Sequence, residues 1–242
     1  MPAQGDLFRG RKSAPDPCPR YGGTFVSDTT SRTDSSAKNA LPRNDQTAPL
    51  EAGRYRWRVV DIVVAAVLGV AVGLIFFAWN TIGYAWFQAM DALTPGLGGL
   101  AAGIWFLGGP LGMLVIRKPG AAIFVELIAA TVSALIGNVW GVSTLYAGVI
   151  QGLGAEIIFL VFAYRSFRLP VALLAGAGAG LGAWTLELFT SGNLQRSPEF
   201  LIIYLICTML SGMVLAGGLA WQLTKALAKT GVLSRFASGR QA

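Results

Sequence analysis

The sequence predicts an all-α integral membrane protein: a bundle of six transmembrane helices with both termini on the cytosolic side. Three observations carry this. Hydrophobic residues make up 54% of the 242 positions and charged residues 13%, against about 25% charge in a soluble domain. Six apolar runs recur, each close to the roughly 20 residues a bilayer-crossing helix needs. Basic residues gather at alternate ends of those runs, the bias that orients membrane proteins.

The formal net charge of +7 would otherwise suggest a nucleic-acid partner. Here the lysines and arginines lie in the tails and at span ends, so membrane topology accounts for them and no nucleic acid is expected. The chain has no histidine, which removes the commonest general base and metal ligand. Cys18 lies in a polar stretch and Cys207 in an apolar one, which gives no disulfide and no metal site. No cofactor is expected.

Residues 1–53 are rich in Ser, Thr, Pro, Asp and Arg and lack apolar periodicity. They cannot bury enough surface to offset ordering entropy and are expected to be a disordered cytosolic tail. They also lack the apolar core of a signal peptide. Residues 54–228 form the membrane domain, and 229–242 a cytosolic C-terminal tail.

The first span covers about Val60–Trp79, after Arg54, Arg56 and Arg58. The second covers about Leu97–Ile116 and ends at Arg117-Lys118, with Gly108-Gly109-Pro110 expected to kink it. The third covers about Pro119–Val139, with Pro119 suited to a first helical turn. The fourth covers about Val142–Tyr164, ending near Arg165 and Arg168, and the fifth about Leu169–Phe189, with Pro170 at its start. The sixth covers about Phe200–Leu223, followed by Lys225, Lys229, Arg235 and Arg240. With a cytosolic N-terminus every basic cluster falls inside and only Arg196 outside. Trp79, Tyr84, Trp86, Trp140 and Trp184 then gather near the outer face, a pattern an interfacial aromatic belt also gives.

Three glutamates, Glu126, Glu156 and Glu187, lie in the spans with no Lys, Arg or His in the span interiors. A charge at the bilayer centre costs about 2.5–3.5 kcal/mol on insertion scales, so each needs a reason. Asn80, Asn138, Gln151 and Tyr146 are candidate polar neighbours. Glu187 lies three residues after Trp184, so both project from one helix face. A carboxylate beside an indole can hold a flat cationic ligand by charge pairing and cation–π contact; an ordinary interfacial Glu with a belt Trp looks the same. The candidate substrate-contact set is Glu187, Trp184, Trp140, Asn138, Gln151, Asn80, Glu156 and Tyr146. Glu126 and Glu156 lie roughly seven to nine residues, about 10–14 Å, from the cytosolic end, and Glu126 is read first as a structural hydrogen-bonding group. Tyr204, Thr208 and Ser211 form an inward stripe on the sixth span. Ala65, Gly69 and Gly73, at four-residue spacing, let another helix approach the first span closely.

Nucleotide and nucleophile motifs are missing. Gly178-Ala179-Gly180-Leu181-Gly182-Ala183 matches GxGxxA but lies inside an apolar helix with no preceding strand. No GxxxxGK[ST] or HExxH occurs, and no GxSxG with a His partner. Any ATP-driven work therefore belongs to other subunits, and no enzymatic activity is expected.

Several segments carry a family resemblance. They are Trp57-Arg58-Val59-Val60-Asp61-Ile62-Val63, Trp79-Asn80, Arg117-Lys118-Pro119-Gly120-Ala121-Ala122, Gly137-Asn138-Val139-Trp140-Gly141 and Gln151-Gly152-Leu153-Gly154-Ala155-Glu156. Together, over about residues 54–228, they resemble the YkoE branch of substrate-binding (S) components of energy-coupling factor (ECF) vitamin transporters. The resemblance implies a six-helix S-component fold with a pocket toward the outer face. It also implies thiamine or its hydroxymethylpyrimidine precursor as substrate, and as partners a transmembrane coupling protein with two ATPase subunits. In such families small residues on the first helix dock onto the coupling protein. Ala65, Gly69 and Gly73 resemble that pattern, with glycine replacing alanine at two positions.

Two other functions stay open at this level. One is an autonomous secondary transporter using Glu126 and Glu156 as proton carriers, although no inverted repeat is evident. The other is a membrane enzyme using paired acids, which the absence of His and of nucleophile motifs disfavours.

Overall fold

The computed structural model describes residues 55–234 together with 236, 238 and 239. All lie in one compact unit, Gln46–Ala242. The expected tail over 1–53 falls outside the described residues.

Among the described residues the first helix is α1, Val59–Leu93. A 3₁₀ helix, Leu97–Phe106, leads into α2, Gly108–Ile116. Then follow α3, Ala121–Ile136, α4, Ser143–Val161, and α5, Leu169–Thr190. The last span is continuous but changes pitch: α6, Pro198–Ser211, a π-helical stretch, Gly212–Gly218, and α7, Leu219–Lys229. Among the described residues five helical segments are long and apolar enough to cross a membrane, and α3 is a shorter apolar helix. The expected third span thus contracts to 16 residues. Gly120 at φ 85° and Gly137 at φ 125° stop it at both ends, a backbone region open to glycine. Pro119 consequently precedes the helix and is not in its first turn.

The first span runs longer than the expected Val60–Trp79. From Trp79 the helix continues for fourteen more residues to Leu93, because no proline intervenes before Pro95. The expected kink at Gly108-Gly109-Pro110 takes the form of a change from 3₁₀ to α pitch at Leu107–Gly108.

The second span is the hub. Its 3₁₀ half packs between α1 and α6, while α2 packs against α3, α4, α5 and α7. Of this span 83% is buried, against 33% for the most apolar stretch of α1. Around it the remaining helices form a ring in the order α1, α3, α4, α5, α6. Large apolar side chains such as Val63, Val67, Leu74 and Ile82 point outward, as a lipid-facing surface requires.

The small-residue stripe of α1 is occupied by this chain itself. Ala65 is fully buried. A Cβ on Gly69 would stand 2.7 Å from the Cβ of Ile128, and one on Gly73 2.7 Å from that of Val132. Gly69 and Gly73 therefore seat α3, and with Ala65 buried the expectation that the three are an open partner-docking face is corrected. Gly73→Val is expected to destabilise the ligand-free protein by about 1–3 kcal/mol through overpacking, whereas Val67→Ala on the exposed face should stay within about 0.5 kcal/mol. Thermal unfolding in detergent checks this; equal midpoints for the two variants would return the stripe to the surface.

The boundary at 228 also moves. Leu233 and Phe236 are buried, and the Ser238 hydroxyl donates to the Val115 carbonyl at 3.0 Å. Ser238 thus reaches the end of α2.

Candidate functional site

One end of the bundle carries most of the charge. Asp61 is fully buried and accepts hydrogen bonds from the Arg58 backbone N–H at 2.8 Å and guanidinium at 3.1 Å. The Lys118 ammonium donates to the same carboxylate and to the Arg56 carbonyl. The Trp57 indole N–H donates to the Pro119 carbonyl at 3.0 Å. Glu156, reaching across from α4, accepts from the backbone N–H groups of Gly120 (2.7 Å) and Ala122 (3.0 Å) and from the Tyr164 hydroxyl (2.9 Å). It is the cap of α3, where a carboxylate meets unpaired N–H groups and the positive end of the helix dipole.

At the opposite, aromatic end a cavity of about 390 Å³ opens between α1, the 3₁₀ helix, α3, α4, α5 and α6. Rings make its walls: Phe76, Tyr84, Phe87, Trp105, Trp140, Phe200 and Tyr204. Trp140 meets Tyr84 and Trp105 edge-on at centroid distances of 5.2 and 5.4 Å, and Phe200 stacks on Tyr204 at 5.5 Å. Two carboxylates face the space, Glu187 and Asp91, with one cation, Arg196, at the mouth. The Tyr204 hydroxyl donates to Glu187. Asp91 accepts from the Gly96 N–H at 2.7 Å, and the Arg196 guanidinium lies 4.8 Å over the Phe200 ring. Asn80 joins three elements: its Nδ2 donates to Ser133 at 2.9 Å and its Oδ1 accepts from the Trp105 indole at 2.8 Å. Such a space suits a flat ring that stacks on aromatics, carries positive charge and offers hydrogen-bonding edges.

Of the eight expected contact residues, Glu187, Trp140, Gln151 and Asn80 line this cavity. The other four do not. Trp184 donates its indole N–H to the Leu201 carbonyl at 3.1 Å, pinning α5 to α6. Asn138 accepts at Oδ1 from the N–H groups of Trp140 and Gly141 and from the Thr144 hydroxyl, a turn-forming role in which a short amide stands in for a backbone carbonyl. Glu156 is the α3 cap at the far end, and Tyr146 is 64% exposed on the outer surface. Glu126 is fully buried against α2, where it accepts from the Gly109 N–H. Both glutamates assigned to proton carrying thus hold helices together, and neither lines the cavity.

Sequence reasoning missed Tyr84, Phe87, Asp91, Trp105, Asn193 and Arg196. The α1 members had a signal. Phe76, Asn80, Tyr84, Phe87 and Asp91 repeat at helical spacing, legible once the helix is carried past Trp79.

A bundle of apolar helices around an aromatic-walled cavity that carries polar side chains and opens at one end has the form of a membrane-embedded binding protein. The profile of a family described as "ABC-type cobalt transport system, permease component" matches residues 60–182. Among curated proteins, the chain is 36% identical over 189 residues to "Putative HMP/thiamine permease protein YkoE" of Bacillus subtilis (strain 168), covering 76% of this chain and 92% of that protein. Among solved structures it matches "Crystal structure of an S-component of ECF transporter" with a TM-score of 0.71 and 35% identity, covering 77% of this chain and 93% of the other. The chain belongs to the YkoE-like family of ECF S components: multi-pass membrane transport proteins, not enzymes.

Proposed function

We propose that this protein binds thiamine or hydroxymethylpyrimidine as the substrate subunit of an ATP-driven importer, together with a transmembrane coupling protein and two ATPase subunits. α3 completes six crossings, both termini are cytosolic, and the cavity opens outward. The observation that carries the reading is the pair of carboxylates, Glu187 and Asp91, within an aromatic-walled cavity. Thiamine joins a permanently cationic thiazolium to a flat aminopyrimidine, and the two halves call for charge pairing and stacking. The printed name of the Bacillus subtilis relative supports the same substrate pair. Cobalt, named in the family's description, finds little support in the residues. The chain has no histidine, and no group of three or more His, Cys, Asp or Glu comes together among the described residues. The orientation follows from the basic residues at the Lys118 end.

Calorimetry on detergent-purified protein stripped of ligand, titrated separately with thiamine and hydroxymethylpyrimidine, tests this. One-to-one binding of either compound without ATP is expected. Binding of neither overturns the substrate assignment. Uptake into liposomes by this chain alone, driven by a proton gradient, overturns the need for partner subunits.

A further inference from the structure

Depth in the cavity can be read from helix register. On α1 the lining residues run from Phe76 to Asp91, fifteen positions or about 22 Å at 1.5 Å per residue. On α4 they run from Ser143 to Gln151, eight positions or about 12 Å in the opposite sense. The innermost lining residues of the six elements are therefore Phe76, Phe106, Ala130, Ala183, Gln151 and Tyr204. The first four are apolar and buried. Gln151 is 8% exposed and its amide makes no hydrogen bond to any other described residue, whereas the Tyr204 hydroxyl is taken up by Glu187.

The Gln151 amide is accessible from the cavity, and a ligand that displaces water there must supply a hydrogen-bonding edge in its place. The amide offers a coplanar acceptor and donor. An aminopyrimidine offers the complement, a ring nitrogen beside an exocyclic amino group. Phe76 and Phe106 supply apolar ring surface for a flat heterocycle. No charged side chain stands at the floor. Glu187 lies one helical turn above Ala183, and Asp91 lies near the end of α1 at the mouth.

We infer that the ligand enters with its aminopyrimidine inward, pairing its donor–acceptor edge with the Gln151 amide on the apolar floor, and with any cationic half outward toward Glu187 and Asp91. This rests on the substrate reading above and adds an orientation and a specificity-determining contact to it. One consequence is that thiamine and its pyrimidine precursor share the floor contact, while only thiamine extends to the carboxylates.

The test is calorimetry on the full chain with Gln151→Met, which keeps the side-chain length and removes the hydrogen bonds. Thiamine and hydroxymethylpyrimidine are expected to weaken by the same factor, at least about tenfold each. Loss of thiamine binding with hydroxymethylpyrimidine unchanged would reverse the orientation and overturn the inference. Unchanged affinity for both would remove Gln151 from recognition. If the unsubstituted protein binds neither compound, the substrate reading fails first and this inference with it. Should the methionine variant not yield folded protein, Gln151→Asn, one methylene short of the edge, is read in the same way.

Discussion

Glu187→Gln is expected to weaken thiamine binding by at least about tenfold, about 1.4 kcal/mol, and to weaken hydroxymethylpyrimidine binding less. Glu187 faces the cavity from α5 and accepts a hydrogen bond from Tyr204 on α6. Its charge is therefore fixed against the aromatic wall and aimed at the space a ligand fills. The amide keeps the shape and can still accept from Tyr204, so the substitution removes charge and little else. A fixed thiazolium cation loses its counter-charge, while a neutral pyrimidine has none to lose. Calorimetry with both ligands reads the difference directly. Equal affinities in variant and parent would take Glu187 out of the site, leaving Asp91 as the cavity's carboxylate for the cationic half.

The largest effect on stability is expected at the other end of the bundle. Asp61→Ala should destabilise the protein by about 3–5 kcal/mol, because it leaves the Lys118 ammonium buried without its carboxylate. Lys118 is only 7% exposed, and its remaining acceptor is the Arg56 carbonyl. Lys118→Met should cost less, since Asp61 keeps the Arg58 backbone and guanidinium bonds. Combining the two should recover stability relative to Asp61→Ala alone, the mark of coupled sites. Thermal and denaturant unfolding in one detergent measure the cycle. Strict additivity, or a loss below about 1 kcal/mol for Asp61→Ala, would show that the pair is solvated in the membrane-bound protein.

Three of the five segments that carried the family resemblance prove to be physical neighbours. Trp57 bonds to Pro119, Asp61 to Lys118, and Gly120 and Ala122 to Glu156, so motifs far apart in sequence make one bonded cluster. That cluster lies at the basic end, away from the cavity, whereas Asn80, Trp140 and Gln151 from the same set of segments line it. Apolar run length and basic-residue bias report on the membrane and locate the spans. They say little about which face of a span turns inward. Asn138 and Trp184 have the chemistry of ligand contacts, yet their polar atoms are used by a turn and by a helix pair. Asp91 and Trp105 belonged to stretches where a loop or an ordinary span was expected, and the register that brings them to the cavity depends on where α1 ends. The small-residue stripe of α1 shows the same limit: spacing announces close helix approach, but not whether the approaching helix is α3 or another protein.

The hub span carries a consequence for how the protein is made. Its 3₁₀ half leaves backbone groups that a regular helix would satisfy, and these are met from far down the chain. The Ser211 hydroxyl accepts from the Gly103 N–H and donates to the Leu100 carbonyl, and at the end of α2 Ser238 reaches the Val115 carbonyl. None of these partners exists when residues 97–116 leave the ribosome. During synthesis the centre of the bundle must wait, with polar backbone open, until more than a hundred later residues have followed it into the bilayer. Biogenesis therefore ends at the middle of the molecule, and the last span to arrive seals the second one to be inserted.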